Sequence, residues 1–297
     1  MLIGLCSIKG SPGVTTTAVA LAARWPQVLA EPVLLEADPA GGDLGVRFGL
    51  PGTPGLGSLA AAARRTSDLG LFVEHCQVLP GGLRVVVGPL AAAQARAAVD
   101  MLASRGLGVL RAAAAALGSV VLVDAGRVDR SSPAVPLLRG ASAVLVMVRS
   151  RVEDLAHVAT LLAAVPTWTR CPGLVLVGSG YPRAEVEREL GVPVMATLPD
   201  DPRGAGVLCG RPGGRGPLHS ALGHAAGRLA DQLLARIGTD TASATVASGT
   251  DPRRFAPGEP GFGGSGRKVP SNPEPGTAAP GIAGHGGHGL TGAGVAP

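Results

Sequence analysis

Aromatic residues are nearly absent: two tryptophans, one tyrosine and four phenylalanines in 297 residues. An interior without large rings must be built from Ala, Val and Leu, which argues against an aromatic-centred β-sandwich and suits helices packed closely on Val/Leu-rich parallel strands. Lysine is scarcer still, occurring only as Lys9 and Lys268 although Lys and Arg together number 26. The four cysteines, Cys6, Cys76, Cys171 and Cys209, are too scattered for a C-x-x-C or Cys/His zinc spacing, so reduced thiols in a cytoplasmic protein are expected. Leu2 to Ile8 is too short for the core of a signal peptide. No uninterrupted apolar run reaches the roughly 18 residues of a membrane span, so none is expected.

Small residues and turns, by contrast, are plentiful. With 46 glycines and 26 prolines, an isolated glycine carries little information, and a glycine motif must be judged by its flanks. Hydrophobic residues make up 46%, ample for a core. The net charge is +5, and from Gly238 onward four acids balance four bases, so the excess belongs to the part before it. A surplus this modest is compatible with non-specific DNA or acidic lipid as a partner, and an arginine-rich composition accounts for it equally well.

Met1 to Arg24 organises the rest. Leu2 to Ile8 reads as a buried strand, Lys9 to Val14 as a glycine-punctuated turn, and Thr15, Thr16 and Thr17 as the opening of a helix. Strand, glycine loop and helix N-terminus in that order form a phosphate cradle: the first turn offers unpaired N–H groups, and Gly10 and Gly13 let the backbone curl around an anion. The standard pattern G-x-x-x-x-G-K-[ST] is not met, because Val14 stands where the lysine belongs.

Lys9, Gly10, Ser11, Pro12, Gly13, Val14, Thr15 and Thr16 resemble the deviant P-loop K-G-G-x-G-K-[ST]-[ST] of the ParA/MinD ATPases, departing at Ser11 and Val14. The resemblance implies that Lys9 is the signature lysine, reaching phosphates bound by a second subunit, and that Thr15 is a magnesium ligand. Two further motifs follow in the family's order. Val33 to Leu35 is a short strand ending in Glu36 and Asp38, similar to the family's V-L-L-[IV]-D-x-D-P; by that likeness Asp38 positions water or magnesium and Glu36 is a variant of the first aspartate. Val120 to Val123 ends in Asp124, the Walker B pattern, whose carboxylate reaches magnesium; the family's D-x-P or D-x-x-P continuation is replaced by Ala125, Gly126 and Arg127. Where many relatives carry a base-reading asparagine this chain has Gly178, Ser179 and Gly180. Pro199 and Asp200 open a turn similar to the late loop that wraps base and ribose.

Other elements are expected as helices at Leu59 to Arg65 and Val152 to Ala164, two helices within Ala91 to Leu117 broken at Gly106 and Gly108, and a last helix from Leu218 to Ile237. Further strands are expected at Leu83 to Val87, Ala143 to Val148, Leu174 to Val177 and Val192 to Leu198. His75 and Cys76 read as structural. The fold expected is a doubly wound, mostly parallel α/β domain over residues 1–238. A disordered Gly/Pro-rich tail is expected over 239–297, where His285 and His288 read as incidental. The resemblance, strongest to actinobacterial partition-like and TadZ/CpaE-like proteins, implies ATP and Mg2+ as cofactors, a nucleotide-dependent homodimer and an unidentified protein partner in partition, septum placement or pilus and secretion machinery. The alternative is a pseudo-ATPase that keeps the fold as a binding module because Val14 replaces the P-loop lysine.

The last 60 residues hold too few large apolar side chains to form a membrane-binding amphipathic helix. Deleting Gly238 to Pro297 is therefore expected to leave the melting transition nearly unchanged and liposome co-sedimentation at background. Lipid binding by the full chain that vanishes on truncation contradicts this expectation.

Overall fold

The computed structural model describes residues 1–26, 30–116, 118–212, 216 and 218–247, with the side chains of the last nine left aside. In chain order the elements are β1 (Leu2–Ser7), α1 (Val14–Ala23), β2 (Glu31–Glu36), α2 (Leu44–Phe48), α3 (Leu56–Ala62), α4 (Leu69–Glu74), β3 (Gln77–Val78), β4 (Arg84–Val86), α5 (Ala92–Arg105) and α6 (Leu107–Ala115). Then come β5 (Ser119–Arg127), α7 (Val135–Leu138), β6 (Ala143–Arg149), α8 (Val152–Leu162), a 3-10 turn (Val165–Thr167), β7 (Pro172–Val177), α9 (Arg183–Leu190), β8 (Val194–Leu198), α10 (Pro202–Leu208) and α11 (Ala221–Ala247).

Eight strands form one sheet in the order β3-β4-β2-β5-β1-β6-β7-β8. The short β3 pairs antiparallel with β4, and every other pairing is parallel. Helices cover both faces, which is why the central strands read as nearly unbroken apolar runs. Alternation along each strand separates two cores. Leu2, Cys6, Val121, Val123, Val144 and Val146 face one, closed by α3, α5, α6 and α8. Ile3, Leu5, Val120, Leu122, Leu145 and Met147 face the other, closed by α1, α10 and α11. The stripe Leu222, Ala226, Leu229 and Leu233 of α11 is buried in that second core, with Ile237 packed at its margin, as a core stripe should be.

From β1 the chain steps to β2, returns through β5 beside β1, and continues on the other side with β6. The carboxyl ends of β1, β5 and β6 thus surround the point where the winding reverses, the place at which open parallel sheets hold ligands. All of the strands expected from sequence are present.

The helices differ in detail. The helix expected at Leu59 to Arg65 lies at Leu56–Ala62, and Gly108 does not break a helix but sits inside α6; only Gly106 separates α5 from α6. Strand β5 does not stop at Asp124 but stays in the sheet to Arg127, pairing there with Ser7. The boundary expected at residue 238 falls within α11, so helix rather than tail occupies positions up to Ala247. His285 and His288 lie outside the described residues. Among the described residues no helix is long and apolar enough to cross a membrane.

Candidate functional site

The loop after β1 carries two left-handed glycines, Gly10 at φ 68° and Gly13 at φ 89°. Gly13 is the N-cap of α1, and Thr17 N–H donates to its carbonyl at 2.8 Å. No side chain caps this helix and its first turn holds no acidic residue. The first-turn amides and the positive end of the helix dipole are therefore left without a side-chain anion, the arrangement that receives phosphate. Val14 follows with 6% of its surface exposed, packed in the core with α10 and α11. Its methyl groups fill the position with apolar contacts and bring no charge to it. Lys9, Gly10 and Ser11 are exposed.

Below α1 lie three acids. Glu36 and Asp124 are register partners on β2 and β5, with 1% and 0% exposure. Glu36 Oε1 accepts from the N–H groups of Asp43 (2.7 Å) and Leu44 (2.9 Å), and Oε2 from Gly88 N–H (2.8 Å). Burial still raises its pKa, against the pull of those three donors. A carboxylate so fully bonded is a staple holding the turns after β2 and β4 together, and this is the part played by the residue that stands at the motif's first acidic position. Sequence carried no sign of this, because the three donors are backbone groups.

Asp124 differs. Its Oδ1 accepts from Gly126 N–H at 3.0 Å, the nearby Thr15 hydroxyl favours the charged form, and Oδ2 is buried with no partner. Burial foremost, with the charges of Glu36 and Asp38 adding to it, pushes its pKa up to about 7. Asp38 is half-buried and accepts from Ala40 N–H at 2.7 Å; burial raises its pKa, with Asp43 adding and Arg127 opposing. The Asp38 carboxyl lies so close over Gly126, itself at φ 59°, that any side chain there would overlap it.

Among the described residues no three His, Cys, Asp or Glu side chains converge as a metal cage. Magnesium does not need such a cage, since it keeps several waters and leans on one or two carboxylates plus substrate phosphates. The orphaned Oδ2 of Asp124, with the Thr15 hydroxyl and the Asp38 carboxyl near enough to bear on its charge, is a donor set that fits a hard divalent cation.

A cavity of about 410 Å³ joins the loop to the late turn. Ser11, Pro12, Gly13 and Thr16 line it together with Pro199 and Asp200, so six of the residues singled out from sequence share one wall system. Lys9, Gly10, Val14, Thr15, Asp38 and Asp124 are not on that lining. Asp201, beside Asp200, is committed elsewhere: its carboxylate caps α10 through Gly204 N–H and ties down Leu222 N–H, and these bonds lower its pKa. Gly178 and Ser179 line the cavity where a base-reading asparagine was sought, and continue into an adjoining open cleft of about 800 Å³ that reaches His224 and Arg228. Two lining residues went unnoticed in the sequence, Arg149 and Arg151. Their signal was their place, at the carboxyl end of a strand next to β1.

No family model and no curated protein matches the chain. Solved structures do. The cell division ATPase MinD of Pyrococcus furiosus is 18% identical with a TM-score of 0.64, the match covering 79% of this chain and 98% of that one. The septum site-determining protein MinD of Pyrococcus horikoshii OT3, complexed with Mg-ADP, is 17% identical at 0.62, over 80% and 97%. A ParA family ATPase from Chlorobium tepidum TLS is 18% identical at 0.61, over 78% and 97%. The fold is therefore the ParA/MinD-like P-loop NTPase fold.

Two outcomes follow from the acids. A carboxyl whose pKa is higher in the folded than in the unfolded chain holds its proton preferentially in the native state, so stability falls as pH rises from about 4 through 7. Asp124→Asn should flatten that slope and raise stability at pH 8 by on the order of 4 kcal/mol at most, read from urea midpoints in EDTA between pH 4 and 8. Glu36→Ala should destabilise by roughly 3 kcal/mol or more at pH 7, since it strands three N–H donors, whereas Asp38→Ala should cost about 1 kcal/mol or less. Equal midpoints for these two variants contradict the staple.

Proposed function

We propose that the chain is a ParA/MinD-like nucleotide-binding protein that takes Mg·ATP at the loop between β1 and α1, pairs with a second copy when loaded, and so positions a partner of a partition, septum or pilus and secretion machinery, with slow or absent hydrolysis. The observation that carries this reading is the cavity in which Ser11, Pro12, Gly13 and Thr16, on an uncapped helix N-terminus, meet Pro199 and Asp200. Phosphates on the loop amides and a nucleoside against the late turn fill it end to end. Thr15, Asp38 and Asp124 form the magnesium side of the site. Lys9 is exposed and takes part in no ion pair among the described residues, which suits a lysine whose anion comes from another subunit. The solved neighbours are named as cell division and ParA family ATPases, one of them holding Mg-ADP, and that nucleotide chemistry is what we carry over.

A second reading, a pseudo-ATPase serving as a binding module, has its own support. Val14 is buried without charge, and the backbone after Asp124 stays paired with β1 as far as Arg127. Hydrolysis needs charge on the β- and γ-phosphates and a segment able to respond to them. Nucleotide binding is weak in both readings; turnover is slow or absent in the first and lost in the second.

Sedimentation with and without Mg·ATP tests the proposal. ATP should shift the chain from monomer to dimer, and Lys9→Ala should abolish the shift while leaving the melting transition in place; Lys9→Arg should restore it poorly, a planar fork being no substitute for a compact ammonium. A chain that stays monomeric at saturating nucleotide, or a Lys9→Ala variant that dimerises as well as the parent, excludes the dimerisation reading.

A further inference from the structure

A loop that has lost its lysine still has to balance the charge of any polyphosphate it holds, and the cavity contains a source that the sequence motifs do not include. Strand β6 lies directly beside β1 and ends at Arg149. Along it Val144, Val146 and Val148 face one core while Leu145 and Met147 face the other, the one that contains α1. Continuing that alternation, Arg149 falls on the α1 side and Ser150 on the opposite side, and the turn that follows brings Arg151 to the same cavity. Both arginines line the cavity with Ser11, Gly13 and Thr16.

Their mounting is rigid although their heads are free. Ser150 is 2% exposed; its hydroxyl donates to the Tyr181 carbonyl at 2.8 Å, and Tyr181 N–H donates back to the Ser150 carbonyl at 3.1 Å. Gly180 lies so close over Ser150 that any β-carbon would collide with that carbonyl. Arg151 N–H donates to the Arg149 carbonyl at 2.8 Å, closing a tight turn between the two. Both side chains are exposed, and neither takes part in an ion pair among the described residues. Two arginines on a buried pedestal, lining the cavity of about 410 Å³ and paired with no carboxylate among the described residues, are cations available to an anion. The acids sharing the lining do not neutralise them: Asp201 is spent on Gly204 and Leu222, and Asp200 forms no ion pair with either arginine.

We propose that Arg149 and Arg151 clamp the phosphates of the bound nucleotide from within the same chain, supplying the charge that Val14 does not. The inference rests on the nucleotide-binding reading above. Guanidiniums present paired N–H donors in a plane, so each can hold two phosphate oxygens where an ammonium acts as a point charge. The clamp also differs from Lys9 in kind: it acts in one subunit and should set affinity, not association.

Calorimetric titration of the full chain with Mg·ATP and with inorganic pyrophosphate tests it. The parent should bind both. Arg149→Ala and Arg151→Ala should each weaken both ligands by about tenfold or more, the double variant should lose still more, and its affinity should depend less steeply on salt. Arg149→Lys and Arg151→Lys should recover only part of the loss. Circular dichroism and the melting temperature should not move, since both side chains are at the surface. If the parent binds and the double variant binds both ligands equally well, the clamp is wrong and the nucleotide reading stands. If the parent binds neither ligand, both fall together.

Discussion

Glu36 and Asp124 stand side by side on adjacent parallel strands, on the same face of the sheet and out of contact with water, and the architecture of the site depends on how each is accommodated. A buried carboxylate is costly unless hydrogen bonds replace its water. For Glu36 they do, three times over, and the donors are the turns that follow β2 and β4; satisfying this one side chain shapes the left half of the carboxyl edge. For Asp124 they do not. One oxygen remains without a partner at the foot of α1, where the sheet could have placed a leucine at no such cost. Identical chemistry in adjacent positions thus separates a residue kept for the fold from one kept for something the fold does not need.

Charge around the glycine loop follows a similar division. A conventional loop concentrates its cation at the first helical position, where the ammonium folds back over the phosphates. Here that position belongs to the core between β1 and the α10 and α11 helices, and a valine completes the packing. The cations nearest the cavity sit instead at the end of β6, on a segment locked to the β7 to α9 loop through Ser150 and Tyr181. On the clamp proposed above, charge placed at a strand terminus instead of a helix terminus frees the helix position for apolar burial.

Much of this was legible from sequence because it is local. The Val/Leu runs gave the strands, the glycines and threonines after Lys9 gave the loop, and Pro199 to Pro202 gave a turn that lands on the cavity wall. What escaped is non-local or short. The staple at Glu36 needs N–H donors from residues up to 52 positions away. Helices of five or six residues such as α2 and α4 carry too few turns for a periodicity to register. Gly108 falls in the first turn of α6, where a glycine costs at most about 1 kcal/mol, which the burial of Val109 and Leu110 beside it outweighs. Arg149 and Arg151 belong to a composition so rich in arginine that neither stood out until the sheet order placed them beside the loop.

The stretch after Asp124 bears most directly on turnover. A segment that senses a γ-phosphate must exchange one set of backbone partners for another when that group leaves. In this chain Arg127 pairs with Ser7 on β1, and Val128 N–H donates to the Ser7 carbonyl at 2.8 Å. Ala37 N–H is bound to the Asp124 carbonyl, also at 2.8 Å, and Asp38 packs over Gly126. The residues that would relay hydrolysis are therefore tied to the two strands that build the binding loop and the second acidic turn. Releasing them means breaking ladder bonds in the centre of the sheet, so this segment is held by the same strand that leads into the glycine loop. On the nucleotide-binding reading proposed above, such an arrangement favours staying in one loaded state over cycling by hydrolysis.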